Sequence, residues 1–281
     1  MTMDRHAEFS STDGTLLFHR WIEATNPRAV VVLVHGITEH SGRYLELLET
    51  LAGVSVTAYA YDQRGHGRSG GIRGDVAQFG NFVTDLGAFC DHVGGEAPDL
   101  PFFVFGHSMG GLVAARYASR RPVRLDGVVL SSVPAKIGSA TPTLLARIIR
   151  ILSHVVPRWP VDPRLDPERL THDLDVLEAL RNDPLVLRQI TMRLAREVMK
   201  ASECLEAHVR RIQVPVLALH GREDSIADPR GLDRLLGWLD GQHPRHVVLD
   251  GLRHEIFNES RAGRDQAFEH LVGWIRDQVR S

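Results

Sequence analysis

The stretch from residue 101 to 119 limits the possible folds of this chain more than any other part of it. It reads Pro-Phe-Phe-Val-Phe, then Gly106-His107-Ser108-Met109-Gly110, and continues with Gly-Leu-Val-Ala-Ala. That order predicts a buried strand, a sharp turn and a helix that begins with small residues. Such a turn lifts the Ser108 hydroxyl above the edge of a sheet, and its glycines are needed because a β-carbon would clash there. The stretch therefore predicts Ser108 as a nucleophile.

A second Gly-x-Ser-x-Gly pattern, centred on Ser69, lacks this context. The residues after it, Gly-Gly-Ile-Arg-Gly, begin no helical pattern, so we interpret Ser69 as a loop serine. The same loop spaces Gly65, Gly67 and Gly70 like a dinucleotide-binding fingerprint. A true fingerprint follows a strand and also opens a helix, and this one meets only the first condition. We expect no cofactor.

Strand-like apolar runs alternate with helical patterns along most of the chain. The run at 29–34, Ala-Val-Val-Val-Leu-Val, is apolar throughout, which is typical of a parallel strand covered on both faces. Alternation of this kind predicts an α/β fold, with a mostly parallel central sheet and helices on both faces. Strands are predicted at 16–22, 29–34, 54–61, 101–105, 128–130, 214–219 and 247–249, and helices at 43–51, 79–93, 112–119 and 261–279.

The alternation stops at residues 134–212, where we find no convincing strand. This stretch contains Thr141-Pro142, Asp166-Pro167 and Asp183-Pro184, and each pair places a capping side chain before a proline suited to a first helical turn. We interpret 134–212 as a helical cap inserted into a core formed by 1–133 and 213–281.

Composition narrows the class of protein. The 281 residues carry a net charge of −2 and are 43% hydrophobic and 24% charged, which predicts a globular protein with no general attraction to nucleic acid. Cys90 and Cys204 lie in apolar, helix-like contexts, and we expect two buried free thiols in a reducing, cytoplasmic compartment. Residues 1–14 contain no apolar stretch and predict no signal peptide.

A base and an acid for Ser108 are expected after later strands. Enzymes that present serine on such a turn carry their triad in the chain order Ser, Asp or Glu, His. Asp224 follows the predicted strand at 214–219, and His254 follows the strand at 247–249. We therefore predict a Ser108–Asp224–His254 triad, in which Asp224 holds the imidazole in the correct tautomer.

Other acidic and imidazole side chains near these positions are weaker candidates. Asp228 precedes a proline and is better suited to cap the next helix. Glu223 adjoins Asp224 but is expected to point elsewhere, and His220 lies so close to the strand end that we interpret it as structural. The chain contains no His-Glu-x-x-His, so we predict no metal site.

Two backbone N–H groups should stabilise the negative charge that acyl transfer builds on the carbonyl oxygen. Met109 follows the nucleophile at a helix start, and Ile37 lies in the loop after 29–34. We predict these two as the oxyanion hole, although His35-Gly36 would also suit a simple strand-ending turn.

The chain resembles the monoacylglycerol lipase and lysophospholipase branch of the α/β-hydrolases. The matching text is Val34-His35-Gly36-Ile37-Thr38-Glu39-His40-Ser41-Gly42-Arg43-Tyr44, Asp62-Gln63-Arg64-Gly65-His66-Gly67-Arg68-Ser69, Gly106-His107-Ser108-Met109-Gly110-Gly111, Asn182-Asp183-Pro184-Leu185, His220-Gly221-Arg222-Glu223-Asp224 and His254-Glu255-Ile256-Phe257-Asn258-Glu259. The resemblance implies hydrolysis of carboxylic esters of lipids, typically monoglycerides, with no cofactor and with a helical cap that shapes an acyl tunnel. We expect the substrate to contact Gly36, His107, Leu145, Ile148 and Ile149.

Other activities fit the same pattern. A lysophospholipase, a general carboxylesterase and a small peptidase all use this scaffold, because substrate choice depends on the pocket and not on the fold. A ligand receptor with slow turnover is a further alternative. An aspartate-nucleophile enzyme is disfavoured, since the turn holds Ser108.

The first cap helix is expected to be a lid that meets a lipid surface. Residues 134–160 include Lys136, Arg147, Arg150 and Arg158 and no acidic residue. Within 141–156, Arg147, Arg150 and His154 are spaced to form one narrow basic stripe on a helix that is otherwise mainly apolar. Apolar surface beside a basic stripe suits peripheral contact with an anionic membrane. A homodimer interface and a more deeply buried helix are the alternatives.

Overall fold

The structure is a computed structural model, which describes most of the chain. For Thr143 and Leu145 it describes the backbone only. The described residues are 3–135, 143–163, 165–239 and 244–280.

Eight strands form one sheet in the order β1-β2-β4-β3-β5-β6-β9-β10. The first two strand pairs, β1 with β2 and β2 with β4, are antiparallel, and the other five pairs are parallel. The predicted mostly parallel sheet is therefore correct. The strands are β1 (Arg5–Ser10), β2 (Leu16–Ile22), β3 (Ala29–Val34), β4 (Val56–Tyr61), β5 (Phe102–His107), β6 (Gly127–Ser131), β9 (Val216–Gly221) and β10 (Arg245–Leu249), and a separate pair is formed by β7 (Pro160–Val161) and β8 (Ile190–Thr191).

Helices cover both faces of the sheet. Along β3, Val30, Val32 and Val34 pack into one apolar cluster, whereas Val31 and Leu33 pack into another. Alternate side chains of a strand point to opposite faces, so an all-apolar strand is needed between two helical layers. The helices are α1 (Leu45–Gly53), α2 (Phe79–Glu96), α3 (Met109–Ala118), α4 (Thr143–Val155), α5 (Leu174–Asn182), α6 (Met192–Glu203), α7 (Leu205–Val209), α8 (Arg230–Trp238) and α9 (Arg261–Arg280).

The insertion lies between β6 and β9, which are neighbours in the sheet. Its described residues add no strand to the eight-stranded sheet, which supports 134–212 as a separate cap, and we keep that division as a proposal. The prediction that the cap has no strand is wrong, because β7 and β8 form a short antiparallel pair inside it. Each strand has only two residues, too few to produce an alternating pattern.

The predicted helix starts of the cap have different outcomes. Asp166 accepts a hydrogen bond from the Glu168 N–H and precedes a short 3₁₀ turn, Pro167–Arg169, as expected of a cap. Asp183 instead follows the end of α5, and no helix begins after it before α6. Its carboxylate binds the Leu185 N–H and the His40 ring, so this Asp-Pro pair forms a turn. The pair at 141–142 lies outside the described residues.

One cysteine differs from the expectation. Cys90 is a buried free thiol on α2, as predicted, whereas Cys204 is an exposed free thiol. Cys204 joins α6 to α7, and the chain turns there so that the next residue, Leu205, points into the core. Among the described residues, no helix is long and apolar enough to cross a membrane.

Candidate active site

Ser108 lies on the sharp turn between β5 and α3. Its backbone has φ 51° and ψ −117°, a strained conformation for a residue with a β-carbon. A β-carbon on Gly106 would overlap the Gly110 carbonyl, and one on Gly110 would overlap the Val34 carbonyl. Both glycines are therefore required by space, and the strain is concentrated on the serine between them.

His254 connects Ser108 to Asp224. Its Nε2 atom lies 3.0 Å from Ser108 Oγ, and its Nδ1 atom lies 2.7 Å from Asp224 Oδ2. All three side chains are buried. Because a carboxylate accepts, Nδ1 carries the proton toward Asp224, and Nε2 is left free to accept the serine proton. The structure thus brings together the three residues predicted from the sequence, while their catalytic roles remain a prediction.

The sheet explains this meeting. Ser108 follows β5, Asp224 follows β9 and His254 follows β10. These strands run in parallel with β6 between β5 and β9, so their carboxyl ends share one edge. Ligand sites of open α/β sheets form at that edge.

Asp224 is held by more groups than His254. Its Oδ1 atom accepts the Ile226 and Ala227 N–H groups at 2.8 and 2.9 Å. The Nε2 atom of His220 lies 3.1 Å from Oδ2 and 3.0 Å from the Ala227 carbonyl. Burial would raise the pKa of Asp224, but the His254 charge and the hydrogen bonds from both histidines hold it well below its usual range. Asp224 is therefore ionised throughout the working range of a histidine.

His254 has the opposite electrostatic balance. Burial lowers its pKa, whereas the charge of Asp224 and its hydrogen bond raise the pKa, with a net shift upward. Because the imidazole must be neutral to act as a base, activity is lost below its pKa.

We therefore expect kcat/KM to rise with pH and to reach half its maximum above about 6.5, the ordinary histidine value. The measurement uses a short, freely soluble p-nitrophenyl ester from pH 5 to 9. A flat profile over this range would remove histidine from the mechanism.

The competing residues have other partners. The Ser69 hydroxyl donates to the Asp62 carbonyl and accepts the Phe18 N–H at 2.9 Å. Glu223 is about half exposed and faces His172 at 3.4 Å. Asp228 accepts the Arg230 N–H just before α8, which agrees with its interpretation as a cap.

The two predicted oxyanion donors border the catalytic cavity. Ile37 and Met109 line it together with Ser108 and His254. Within the described part of the chain, neither backbone N–H has a hydrogen-bond acceptor. Two unoccupied donors beside a serine nucleophile are what an oxyanion requires.

The predicted substrate contacts are only partly placed at the cavity. Ile149 lines it, but Ile148 is 40% exposed on the outer side of α4, because successive helical residues differ by about 100° in direction. Gly36 and His107 lie behind the lining: a β-carbon on Gly36 would be 3.3 Å from Ser108 Cβ, and the His107 ring is 4.9 Å from that of His254. The Leu145 side chain is outside the description.

The cavity has a volume of about 210 Å³ and is mainly apolar beyond the triad. Most of its apolar wall comes from the cap. Those side chains include Ile149, Val161, Leu165, Leu170, Leu180, Ile190, Val198 and Met199, and the core adds Ile37, Met109 and Ile226.

Sequence reasoning missed two carboxylates that line the same cavity. Glu39 is buried and accepts the Tyr44 hydroxyl at 2.6 Å. Glu255 is buried and pairs with Arg43, and its Oε2 atom also accepts the Asn258 amide at 2.9 Å. Burial, followed by the charge of Glu255, raises the pKa of Glu39 to about 7. The available signal was position, since Glu39 follows the oxyanion loop and Glu255 follows the catalytic base.

Comparison with known proteins agrees with this geometry. A family model described as serine aminopeptidase, S33, matches residues 25–261. The chain is 30% identical to a monoacylglycerol lipase of Mycolicibacterium smegmatis over 98% of this chain and 97% of that protein. It is 32% identical to human monoglyceride lipase over 96% of this chain and 89% of that protein. The crystal structure of Paleococcus ferrophilus monoacylglycerol lipase superposes with a TM-score of 0.83 at 31% identity, covering 98% of this chain and 99% of that one. The predicted α/β-hydrolase fold is thereby confirmed.

Proposed function

This chain belongs to the serine aminopeptidase S33 family of α/β-hydrolases and has monoacylglycerol lipases among its relatives, and on that premise we propose that it hydrolyses carboxylic esters of lipids, foremost monoacylglycerols. The observation that carries the proposal is the position of the triad. The Ser108 hydroxyl, 3.0 Å from its base, borders a cavity whose lining is mainly apolar. A fatty acyl chain needs such a cavity to leave water.

The geometry supports a two-step acyl-enzyme reaction. Ser108 Oγ attacks the ester carbonyl while His254 Nε2 takes its proton, and the Ile37 and Met109 N–H groups receive the oxyanion. His254 then returns the proton to the leaving glycerol oxygen, which breaks the ester bond. Water enters, loses a proton to His254 and attacks the acyl-enzyme, releasing the fatty acid and restoring Ser108.

An aminopeptidase is the second candidate, favoured by one observation. Glu39 and Glu255 beside the triad would suit the ammonium group of a peptide N-terminus. A panel of 1-oleoylglycerol, p-nitrophenyl butyrate and leucine and proline p-nitroanilides separates the candidates. We expect kcat/KM to be highest for the monoacylglycerol, and faster cleavage of an aminoacyl anilide would replace the lipase proposal.

The cavity predicts a dependence on acyl chain length. Each buried methylene contributes about 0.8 kcal/mol, so kcat/KM should rise up to about fourfold per methylene until the cavity is filled. The measurement uses monoacylglycerols from four to twelve carbons below their micellar concentrations. Val198→Trp should shorten the preferred chain, because Val198 lines the cavity, whereas Val176→Trp on α5 should not. Rates independent of chain length in the parent would contradict an acyl tunnel.

The outer face of α4 supports the proposal of a lid at a lipid surface. Leu144, Ile151 and Val155 are 69%, 68% and 76% exposed, and Trp159 just beyond the helix is 61% exposed. On the inner face, Ile149 lines the cavity. The helix therefore has one apolar side toward the cavity and a second apolar side toward solvent. Deep burial of the whole helix, one of the alternatives, is wrong. We propose peripheral attachment of a cytoplasmic enzyme through this face.

The basic residues of the segment 134–160 contribute less to membrane attachment than the sequence suggests. Arg150 pairs with Glu203, and Arg158 lies 3.7 Å from Asp75. Each basic residue near an anionic surface adds about 1 kcal/mol, but a paired arginine is already partly neutralised. Lys136 lies outside the described residues. Apolar burial should therefore dominate the attachment.

We expect Ile148→Ser/Ile151→Ser to reduce flotation with liposomes more strongly than Arg147→Ala/Arg150→Ala. The effect of the arginine pair should appear only with anionic vesicles, while that of the isoleucine pair should appear with neutral ones as well. If neither pair weakens flotation and the isoleucine pair converts a dimer into a monomer, the face is a subunit contact.

A further inference from the structure

We infer that Glu39 and Glu255 restrict this enzyme to esters whose alcohol carries no net negative charge, so that it rejects lysophospholipids whose head group is anionic overall. The inference deepens the proposed function and rests on it, since it concerns the alcohol part of the same ester.

The reaction itself fixes where the alcohol must lie. Its oxygen takes a proton from His254 Nε2, so the leaving alcohol lies next to that atom. Glu255 is the next residue after His254 and lines the cavity with it. A β-carbon on Gly36 would be 2.5 Å from Glu39 Oε1 and 3.3 Å from Ser108 Cβ, which places this carboxylate beside the nucleophile. The head group therefore meets both carboxylates.

The charges around this position do not cancel. Arg43 is the cation paired with Glu255, so one guanidinium faces two buried carboxylates. Asp224 adds a third carboxylate, which the imidazolium of His254 offsets during the reaction. The cluster remains negative by one charge when Glu39 is ionised. Like charges in a buried site repel strongly because little water screens them.

Other polar groups of the cavity do not reverse this sign. Arg169 and Asp162 both line the wall, and the two have opposite charges. The Arg169 guanidinium donates to the Ser225 hydroxyl at 2.9 Å and to the Ser225 carbonyl, which directs it toward the loop that follows β9. The hydroxyl groups of glycerol, by contrast, can donate hydrogen bonds to carboxylates.

The ionisation of Glu39 makes the discrimination depend on pH. Burial and the charge of Glu255 raise its pKa to about 7, against the opposing effects of Arg43, Tyr44 and His254. The His107 ring also faces Glu39, with Nε2 3.8 Å from Oε1. A raised pKa means that Glu39 is neutral below about 7 and charged above it. Rejection of an anionic head group should therefore strengthen as the pH rises through neutrality.

The test compares three oleoyl esters in the same non-ionic micelles: 1-oleoylglycerol, zwitterionic lysophosphatidylcholine and anionic lysophosphatidylglycerol. The two phospholipids have similar size and differ in net charge. The ratio of kcat/KM for lysophosphatidylglycerol to kcat/KM for lysophosphatidylcholine therefore reports the effect of charge and not of size. We expect lysophosphatidylglycerol to be cleaved at least tenfold more slowly than lysophosphatidylcholine at pH 8. The deficit should shrink at least threefold at pH 6, where the phosphodiester is still ionised.

Glu39→Gln and Glu255→Gln should each raise the ratio for the anionic lipid at least fivefold, since glutamine keeps the volume and loses the charge. Glu178→Gln is the matched control, because it removes an exposed carboxylate on α5; it should leave the ratio unchanged. Equal rates for the two phospholipids in the parent, or a low ratio that neither variant changes, overturns the inference. If the variants do not fold, a parent ratio independent of pH overturns it. If the parent enzyme does not hydrolyse 1-oleoylglycerol at all, the proposed function itself is contradicted.

Discussion

Ser108→Ala is expected to lower kcat for ester hydrolysis by roughly 10⁴-fold or more while the protein stays folded. The hydroxyl supplies the bond that forms with the acyl carbon, and nothing else in the turn replaces it. The strained backbone at Ser108 is imposed by its neighbours, and alanine keeps the same β-carbon. Steady-state rates, together with the midpoint of thermal unfolding, measure both parts of the expectation.

Ser69→Ala is the matched control, because Ser69 occupies the second copy of the same pattern. Its hydroxyl joins the Asp62 carbonyl to the Phe18 N–H, so its loss should reduce the free energy of unfolding by about 1–3 kcal/mol. The rate per folded molecule should be unchanged. If Ser69→Ala abolishes activity and Ser108→Ala does not, the nucleophile has been assigned to the wrong turn.

Asp224→Asn is expected to lower kcat by about 10⁴-fold with little change in KM. Asparagine has nearly the same shape, but its amide nitrogen would meet His254 Nδ1, which is now 2.7 Å from a carboxylate oxygen. The imidazole would then favour the tautomer whose proton is on Nε2, the atom that faces Ser108. In that tautomer Nε2 cannot accept the serine proton. The loss should appear in kcat, since Asp224 acts through His254 and not on the substrate.

Glu223→Gln controls for the loss of a negative charge in the same loop. Glu223 is about half exposed and faces His172, so the rate should stay within about twofold, as is usual for surface changes. A large loss in this variant together with an active Asp224→Asn enzyme would move the acid of the triad to Glu223.

Much of the core was predictable from the sequence because burial leaves a local signal there. A strand between two helical layers must be apolar at every position, as in β3, and a tight turn must have glycine where a β-carbon overlaps a carbonyl, as at Gly106 and Gly110. The edge strand β1 left no such signal, since Phe9 is its only buried residue. A local sequence pattern predicts a strand or helix well where one face is buried and the other exposed, or where both faces are buried.

The cap was harder to predict, because its local signals have more than one structural meaning. Asp183-Pro184 is consistent with a helix start, yet the carboxylate is taken by the distant His40. Ile148 and Ile149 are alike in sequence, and only the packing of α4 decides which one reaches the cavity. Glu39 and Glu255 are 216 residues apart in the chain, and their juxtaposition appears only once the sheet brings their loops together.

The most direct test of the account is to locate the nucleophile during inhibition of monoacylglycerol hydrolysis. The enzyme is treated with a fluorophosphonate, its remaining activity on 1-oleoylglycerol is measured, and the labelled peptide is identified by mass spectrometry. We expect one label per chain, on Ser108, with activity lost in proportion to labelling. Label on another residue at full stoichiometry, or full hydrolysis by an enzyme labelled at Ser108, would contradict the account.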